Sequence, residues 1–235
     1  MKPITATLTI YAAILTCAFA LLLSRTEAQN GTERIAHLVV ERLDVVEPDG
    51  TPRLILYAKA RDPQIIVRGQ AYRHPSRTQS GMLFYNDEGT EVGGLVVAGR
   101  TREDGTTETG GSLTFDAYEQ DQIVQLIGYE EDGSGVAGLF VTDRPAEAMD
   151  FEGFDALARA ETDEAREAVL ARLAKEEQGA SRAFFGRDRD DEAAVALRDA
   201  QGRTRLRLSV TPEGEAAIAF LNEDGEVVRR VTGAE

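Results

Sequence analysis

Alternation dominates most of the chain. In Arg205-Leu-Arg-Leu-Ser-Val210 and Ala216-Ala-Ile-Ala-Phe-Leu221 one set of alternate positions is apolar and the other charged or small, which predicts half-buried antiparallel strands. These runs are joined by a recurring unit in which an acidic or amide residue is followed by a turn closing on glycine. The copies include Leu43-Asp-Val-Val-Glu-Pro-Asp-Gly50, Met82-Leu-Phe-Tyr-Asn-Asp-Glu-Gly89, Leu126-Ile-Gly-Tyr-Glu-Glu-Asp-Gly133, Val195-Ala-Leu-Arg-Asp-Ala-Gln-Gly202 and Ile218-Ala-Phe-Leu-Asn-Glu-Asp-Gly225. Shorter cousins end at Gly105 and Gly214. The last residue of a three-residue hairpin loop usually needs positive φ, which suits glycine, and the flanking acids and amides accept local backbone N–H bonds. The irregular spacing of these hairpins favours an antiparallel meander, sandwich or roll over a periodic solenoid.

One stretch departs from that period. From Asp150 to Gln178 the chain fills with Ala, Glu, Leu and Arg, and Phe154, Leu157 and Ala158, then Ala165, Val169, Leu170 and Leu173, fall at three- and four-residue spacings. The spacing predicts a short helix and a longer one ended by Gly179, with Asp163 and Lys175 suiting the helix dipole. The body then divides into a β-rich region over 34–148, a helical insert over 149–179 and a second β region over 180–235. Whether the two β regions share one sheet is open at this level.

The N-terminus follows neither pattern. Ile4 to Leu23 carries no charged side chain, and twenty helical residues span about 30 Å, the thickness of a bilayer's hydrocarbon core. Residues 1–25 are therefore expected to be a transmembrane anchor, and 26–33 a linker. A cleaved signal peptide is the alternative, since Ala18-Phe19-Ala20 is a small-x-small site, although cutting there leaves three leucines at the new terminus. With Lys2 on one side, and Arg25 and Glu27 cancelling on the other, the positive-inside bias places the body outside the cytoplasm of a single-pass protein; signal cleavage would instead export it.

Charge and composition narrow the function. The chain has 235 residues, 26 basic against 41 acidic, for a net charge of −15. That sign repels phosphate backbones, and with no basic stripe carrying interleaved aromatics no nucleic acid is expected as a partner. The single cysteine, Cys17, sits in the apolar run, which removes disulfide frameworks and thiolate zinc sites. No cofactor and no metal are expected.

Two polar constellations stand out. Asp116, Tyr118, Glu119 and Asp121 crowd into Phe-Asp-Ala-Tyr-Glu-Gln-Asp-Gln between strands expected at 112–116 and 122–127. Paired carboxylates there could act as acid and base in glycoside cleavage, or as oxygen ligands stiffening the module with Ca²⁺, although no EF-hand or calcium-repeat spacing occurs; a solvated turn needs neither. Arg73, His74 and Arg77 form a basic island whose guanidinium forks suit an anionic partner, the simpler reading being a surface loop. Gly93-Gly94 and Gly110-Gly111 open no helix and precede no Lys-Ser/Thr, so they read as strand bulges or close strand crossings.

The segments 43–56, 80–96, 113–126 and 186–190 together resemble a family of uncharacterised bacterial proteins that carry an N-terminal hydrophobic segment before a β-rich body of acidic-glycine hairpins. The resemblance implies a bacterial, membrane-associated or exported protein and carries no catalytic residue across. No catalytic constellation is complete, so the expectation is a membrane-anchored binding or scaffolding protein of the bacterial envelope. It would meet the membrane through 4–23 and possibly other envelope proteins. A glycan-directed hydrolase using Asp116 with Glu119 or Asp121, or a calcium-stiffened module, is the alternative.

Overall fold

A single antiparallel sheet of twelve strands makes up most of the molecule, with sequential strands pairing side by side. The computed structural model describes residues 14–16, 34–74, 77–174 and 179–233. Residues 1–40 and 41–235 form separate units, and all the strands lie in the second. They are β1 (Arg42–Val46), β2 (Pro52–Tyr57), β3 (Ile65–Val67), β4 (Gln70–Tyr72), β5 (Ser80–Tyr85), β6 (Glu91–Thr101), β7 (Thr107–Asp116), β8 (Gln122–Glu131) and β9 (Ser134–Asp143). After the helices α1 (Phe151–Arg159) and α2 (Asp163–Leu173) come β10 (Ala180–Arg187), β11 (Ala193–Arg198), β12 (Thr204–Val210), β13 (Ala216–Leu221) and β14 (Val227–Thr232). Among the described strands only β3 and β4 stand apart, as a two-stranded hairpin inserted between β2 and β5.

The meander follows from the turns. Asn86 N donates to Thr90 O at 2.9 Å and Gly89 N to Asn86 O at 3.0 Å, and the same ladder closes the turns at Gly50, Gly105, Gly202, Gly214 and Gly225. The Asn86 side-chain oxygen also accepts from the backbone of Glu88 and Thr90, as Asn222 does from Asp224 and Glu226. Each of the seven glycines that close the repeated unit has positive φ, Gly89 at 69° and Gly225 at 82°. Gly225→Val is expected to cost about 1–3 kcal/mol through the backbone alone, since a Cβ there meets nothing within 4 Å. Gly89→Val should cost more, because its Cβ would also press on Pro52 Cδ at 3.2 Å and Thr51 Cγ2 at 3.3 Å. Urea unfolding of both variants checks the pair, and equal stability to wild type would refute this account of the turns.

The glycine pairs mark close strand contacts as expected. Gly93 has φ 135° beside a register shift in the β5–β6 ladder, and a Cβ there would lie 2.3 Å from Thr114 O. The two β regions share one sheet, because β9 pairs directly with β10. The sequence left sandwich and roll open beside the meander; the ladder connects all twelve strands in one sheet, in chain order.

The helical insert is present and shorter than expected. The Asp150 side chain caps α1 by accepting from Gly153 N at 2.8 Å, and Thr162 Oγ1 caps α2 by accepting from Ala165 N at 3.2 Å. Asp150 also pairs with Arg172, tying the start of α1 to the end of α2. The second helix is described only to Leu173, with Ala174 as its C-cap; Gly179 instead precedes β10, and Lys175 lies outside the described residues.

The expected transmembrane helix requires correction. Among the described residues no helix is long and apolar enough to cross a membrane. The longer of α1 and α2 has 11 residues, about 16 Å against the roughly 30 Å required, and its Asp-Glu-Ala-Arg-Glu sequence is charged. Of the segment 4–23 only residues 14–16 are described, as helix; the rest lies outside the described residues.

The faces of the sheet differ sharply. On one, Ile55, Tyr57, Leu83 and Tyr85 form a buried cluster with Ile66 of the β3–β4 hairpin packed against it. Further along the same face Phe184, Ala194 and Ala196 pack with Val136 and Phe140. The other face carries an unbroken cross-strand row with one residue from every strand: Leu43, Leu56, Met82, Leu95, Leu113, Leu126, Leu139, Phe185, Val195, Leu208, Ile218 and Val231. Every member is apolar, and most are exposed, Leu126 by 53% and Phe185 by 64%.

Candidate functional site

Two places on this fold can do chemistry or recognition. The first lies where the β3–β4 hairpin and the segment after it meet the ends of β2, β5, β6 and β7. Arg77 lies at its centre with only 10% of its side chain exposed, pairing with Glu91, itself 12% exposed. Its Nη1 also donates to Gln64 O at 3.1 Å and stands 3.6 Å from Asp62. The register shift between Phe84 and Tyr85 puts Glu91 here: it breaks the alternation of β6 and sets Glu91 directly opposite Tyr85, on the covered side of the sheet.

Asp116, at the end of β7, joins the same cluster. Burial pushes its carboxyl up to about 7, reinforced by the negative charges of Glu91 and Asp121 and opposed by Arg77 and Arg144. Burial likewise raises Glu91, against the pull of Arg77. It holds the His74 imidazole down at about 4, with the Arg77 cation adding to the effect, and it pushes the Tyr57 phenol up to about 12. Five buried oxygens in this region find no hydrogen-bond partner among the described residues: Tyr57 Oη, Tyr85 Oη, Gln64 Oε1, Glu91 Oε2 and Asp116 Oδ1. The arrangement keeps Asp116 largely protonated below neutral pH and His74 neutral, a combination suited to proton holding.

The two sequence-derived constellations therefore partly converge. Asp116 and Asp121 from one, and His74 and Arg77 from the other, act on a common set of charges. Two candidates do not join them. Glu119 pairs with Arg68 at 2.7 Å in an outward network that also links the Tyr118 hydroxyl to Glu88 at 2.7 Å. The Arg73 backbone N–H donates to Asp155 of α1 at 2.9 Å, beside the Tyr72–Phe151 ring contact of 5.8 Å, so this position helps dock the helix on the hairpin. Of the expected acid–base pair, the Glu119 carboxylate is thus held by the Arg68 guanidinium. Asp121 is held by Arg144 at 2.9 Å. Among the described residues no group of three or more His, Cys, Asp or Glu side chains could hold a metal ion.

Sequence reasoning missed Glu91, Asp62, Tyr57 and Tyr85. Parity could not have found Glu91: counted from Leu95 it belongs to the open face, and only the register shift beside Gly93 turns it inward.

The second place is the uncovered apolar face. Beside its central row runs a mixed row in which Gly111, Gly128, Ala137, Ala193 and Ala216 are interspersed with Val97, Arg187 and Val210. A shallow apolar hollow of about 600 Å³ opens along the C-terminal half, between Phe185, Leu208, Ile218 and Val231. A larger groove of about 940 Å³ is floored by β6, β7 and β8, with Lys59, Gln79 and Tyr129 in its lining; it is not lined by Asp116, Glu91, His74 or Arg77. No protein-family model matches the chain, and no curated protein matches it.

Proposed function

We propose that the chain is a binding or scaffolding protein that works through the uncovered face of its sheet. One observation carries this reading: an apolar row crosses all twelve strands and remains exposed along most of its length. Soluble monomers rarely expose contiguous apolar patches beyond a few hundred Å², and larger ones mark interaction sites. The polar cluster points the same way by contrast, because its Arg77–Glu91 pair is buried under the hairpin and its carboxylates are divided between ion pairs and burial. We assign this work to the bacterial envelope on the sequence resemblance.

The test is the size of the complexes that hold the chain in gently prepared native extracts. Wild type should migrate well above its 25.6 kDa. A variant with Leu126→Glu and Phe185→Glu should fall toward that mass with its circular dichroism unchanged, since both side chains are solvent-exposed in the fold. Identical complexes for the two proteins would overturn the assignment.

A further inference from the structure

We infer that the groove over β6, β7 and β8 is a binding site for a carboxylate-bearing oligosaccharide, a role that does not depend on the apolar-face reading above. Its volume is about 940 Å³, within the roughly 300–1,000 Å³ of ligand sites. The lining takes in Ile127 and Tyr129 but neither Leu126 nor Glu130, and Tyr129 stands opposite Val136, which packs on the Phe184 cluster. The groove therefore lies on the side of the sheet that carries the buried clusters, away from the open apolar row. Strand length and glycine make it. Ser80, the first residue of β5, pairs with Val97, while β6 runs on to Thr101. Gly110 lies between Ala98 and Tyr129 in the ladder, and a Cβ there would stand 3.2 Å from Tyr129 Cδ2, so the tyrosine ring leans over a floor that has no side chain of its own.

Charge selects an anion. The charged residues in the lining are Lys59, Arg100 and Glu108. Both oxygens of the Glu108 carboxylate are taken, Oε1 by Arg100 Nε at 2.5 Å and Oε2 by Arg102. The cations are not used up in return. Arg100 spends only its Nε on Glu108, which leaves both Nη groups on a side chain that is 65% exposed. Lys59 makes neither an ion pair nor a side-chain hydrogen bond among the described residues. Unspent N–H donors on two cations, with the one acid already satisfied, are the complement of a carboxylate. The net charge of −15 acts weakly here, because the screening length at physiological salt is about 8 Å. A nucleic acid, whose phosphates extend far beyond two cations, would still meet that charge.

The rest of the lining favours a sugar as the body that carries the carboxylate. Thr78, Gln79, Ser80, Thr109 and Ser112 place hydroxyl and amide groups along the groove, and each can both donate and accept, as ring hydroxyls require. Tyr129 adds an apolar ring face, held in place by its hydroxyl, which donates to Glu131 Oε2 at 2.9 Å. A peptide is served less well. Each of β6, β7 and β8 is paired on both sides, so the floor of the groove offers no strand edge to a peptide backbone.

The experiment is calorimetric titration of the full-length chain with tetragalacturonate and with tetramannuronate, beside the methyl ester of each as the uncharged sugar and tetraglutamate as an acidic peptide. At least one uronate should bind, and its methyl ester should bind about tenfold more weakly or worse. Lys59→Met and Arg100→Met should each weaken the uronate by about tenfold, the scale of one charge-assisted contact, with circular dichroism unchanged. Ala98→Phe, at an exposed position of the floor, should block the groove, and Arg229→Met, outside it, should change nothing. The Leu126→Glu/Phe185→Glu variant should keep the sugar, which separates this site from the apolar face. Binding of neither uronate, equal binding of the ester, or a uronate affinity unmoved by Lys59→Met and Arg100→Met would overturn the inference. Tetraglutamate held as tightly as the uronate, and through the same two cations, would overturn the sugar and make the groove a site for an acidic peptide.

Discussion

Arg77→Met should destabilise the domain by about 3–5 kcal/mol, the cost of leaving a buried charge without its partner. Arg77 and Glu91 are 10% and 12% exposed, so the methionine variant strands the Glu91 carboxylate where water cannot replace the guanidinium. The lost donation to Gln64 O and the neighbouring Asp62 add to the penalty. Burial itself works against the Arg77 cation, but Glu91 and Asp62 hold it above the ordinary guanidinium value; the pair is a unit rather than two independent charges. The double variant Arg77→Met/Glu91→Gln should therefore recover much of the loss, which a double-mutant cycle in urea reads directly. A single-variant cost below about 1 kcal/mol, the range of an exposed pair, would show that solvent reaches the site.

Most of the sheet was legible because its determinants are local. A turn such as Asn86–Thr90 is specified by five adjacent residues, the amide that accepts two backbone N–H groups and the glycine that takes positive φ, and a chain of such turns can only meander. The starts of α1 and α2 are also locally specified, by the caps Asp150 and Thr162, although the helical spacing alone was used to predict them. The cluster was harder to read because it is built from distant segments: Arg77 meets Glu91 fourteen positions away, and Asp116 feels both. Asp116 was expected to pair with Glu119 or Asp121, yet the positive φ of Glu119, 50°, turns the chain and leaves its carboxylate on Arg68. The uncovered face lay outside local reasoning for another reason. Alternation shows that each strand has an apolar side, but only the register aligns Leu126 with Leu139 and Phe185 into one surface, and only the structure shows that no second layer of described residues buries it.

Asp116→Asn should stabilise the protein at pH 8 by up to about 4 kcal/mol, and by progressively less as the pH falls. The Asp116 carboxyl moves from 3.8 to about 7 on folding, and each unit is worth about 1.4 kcal/mol. Between those values the folded state holds the proton more tightly than the unfolded chain, so this group favours folding in acid and its contribution is lost as the pH rises toward 7. His74 works in the opposite direction: its folded value of about 4 against 6.5 makes stability fall as the pH drops through that window. The wild-type curve blends the two, and the difference between wild type and Asp116→Asn isolates the carboxyl. Asparagine mimics the protonated acid, so the variants should converge near pH 4 and separate most above pH 7, as read by urea midpoints across that range. A flat difference would mean that Asp116 titrates normally and is not buried as described.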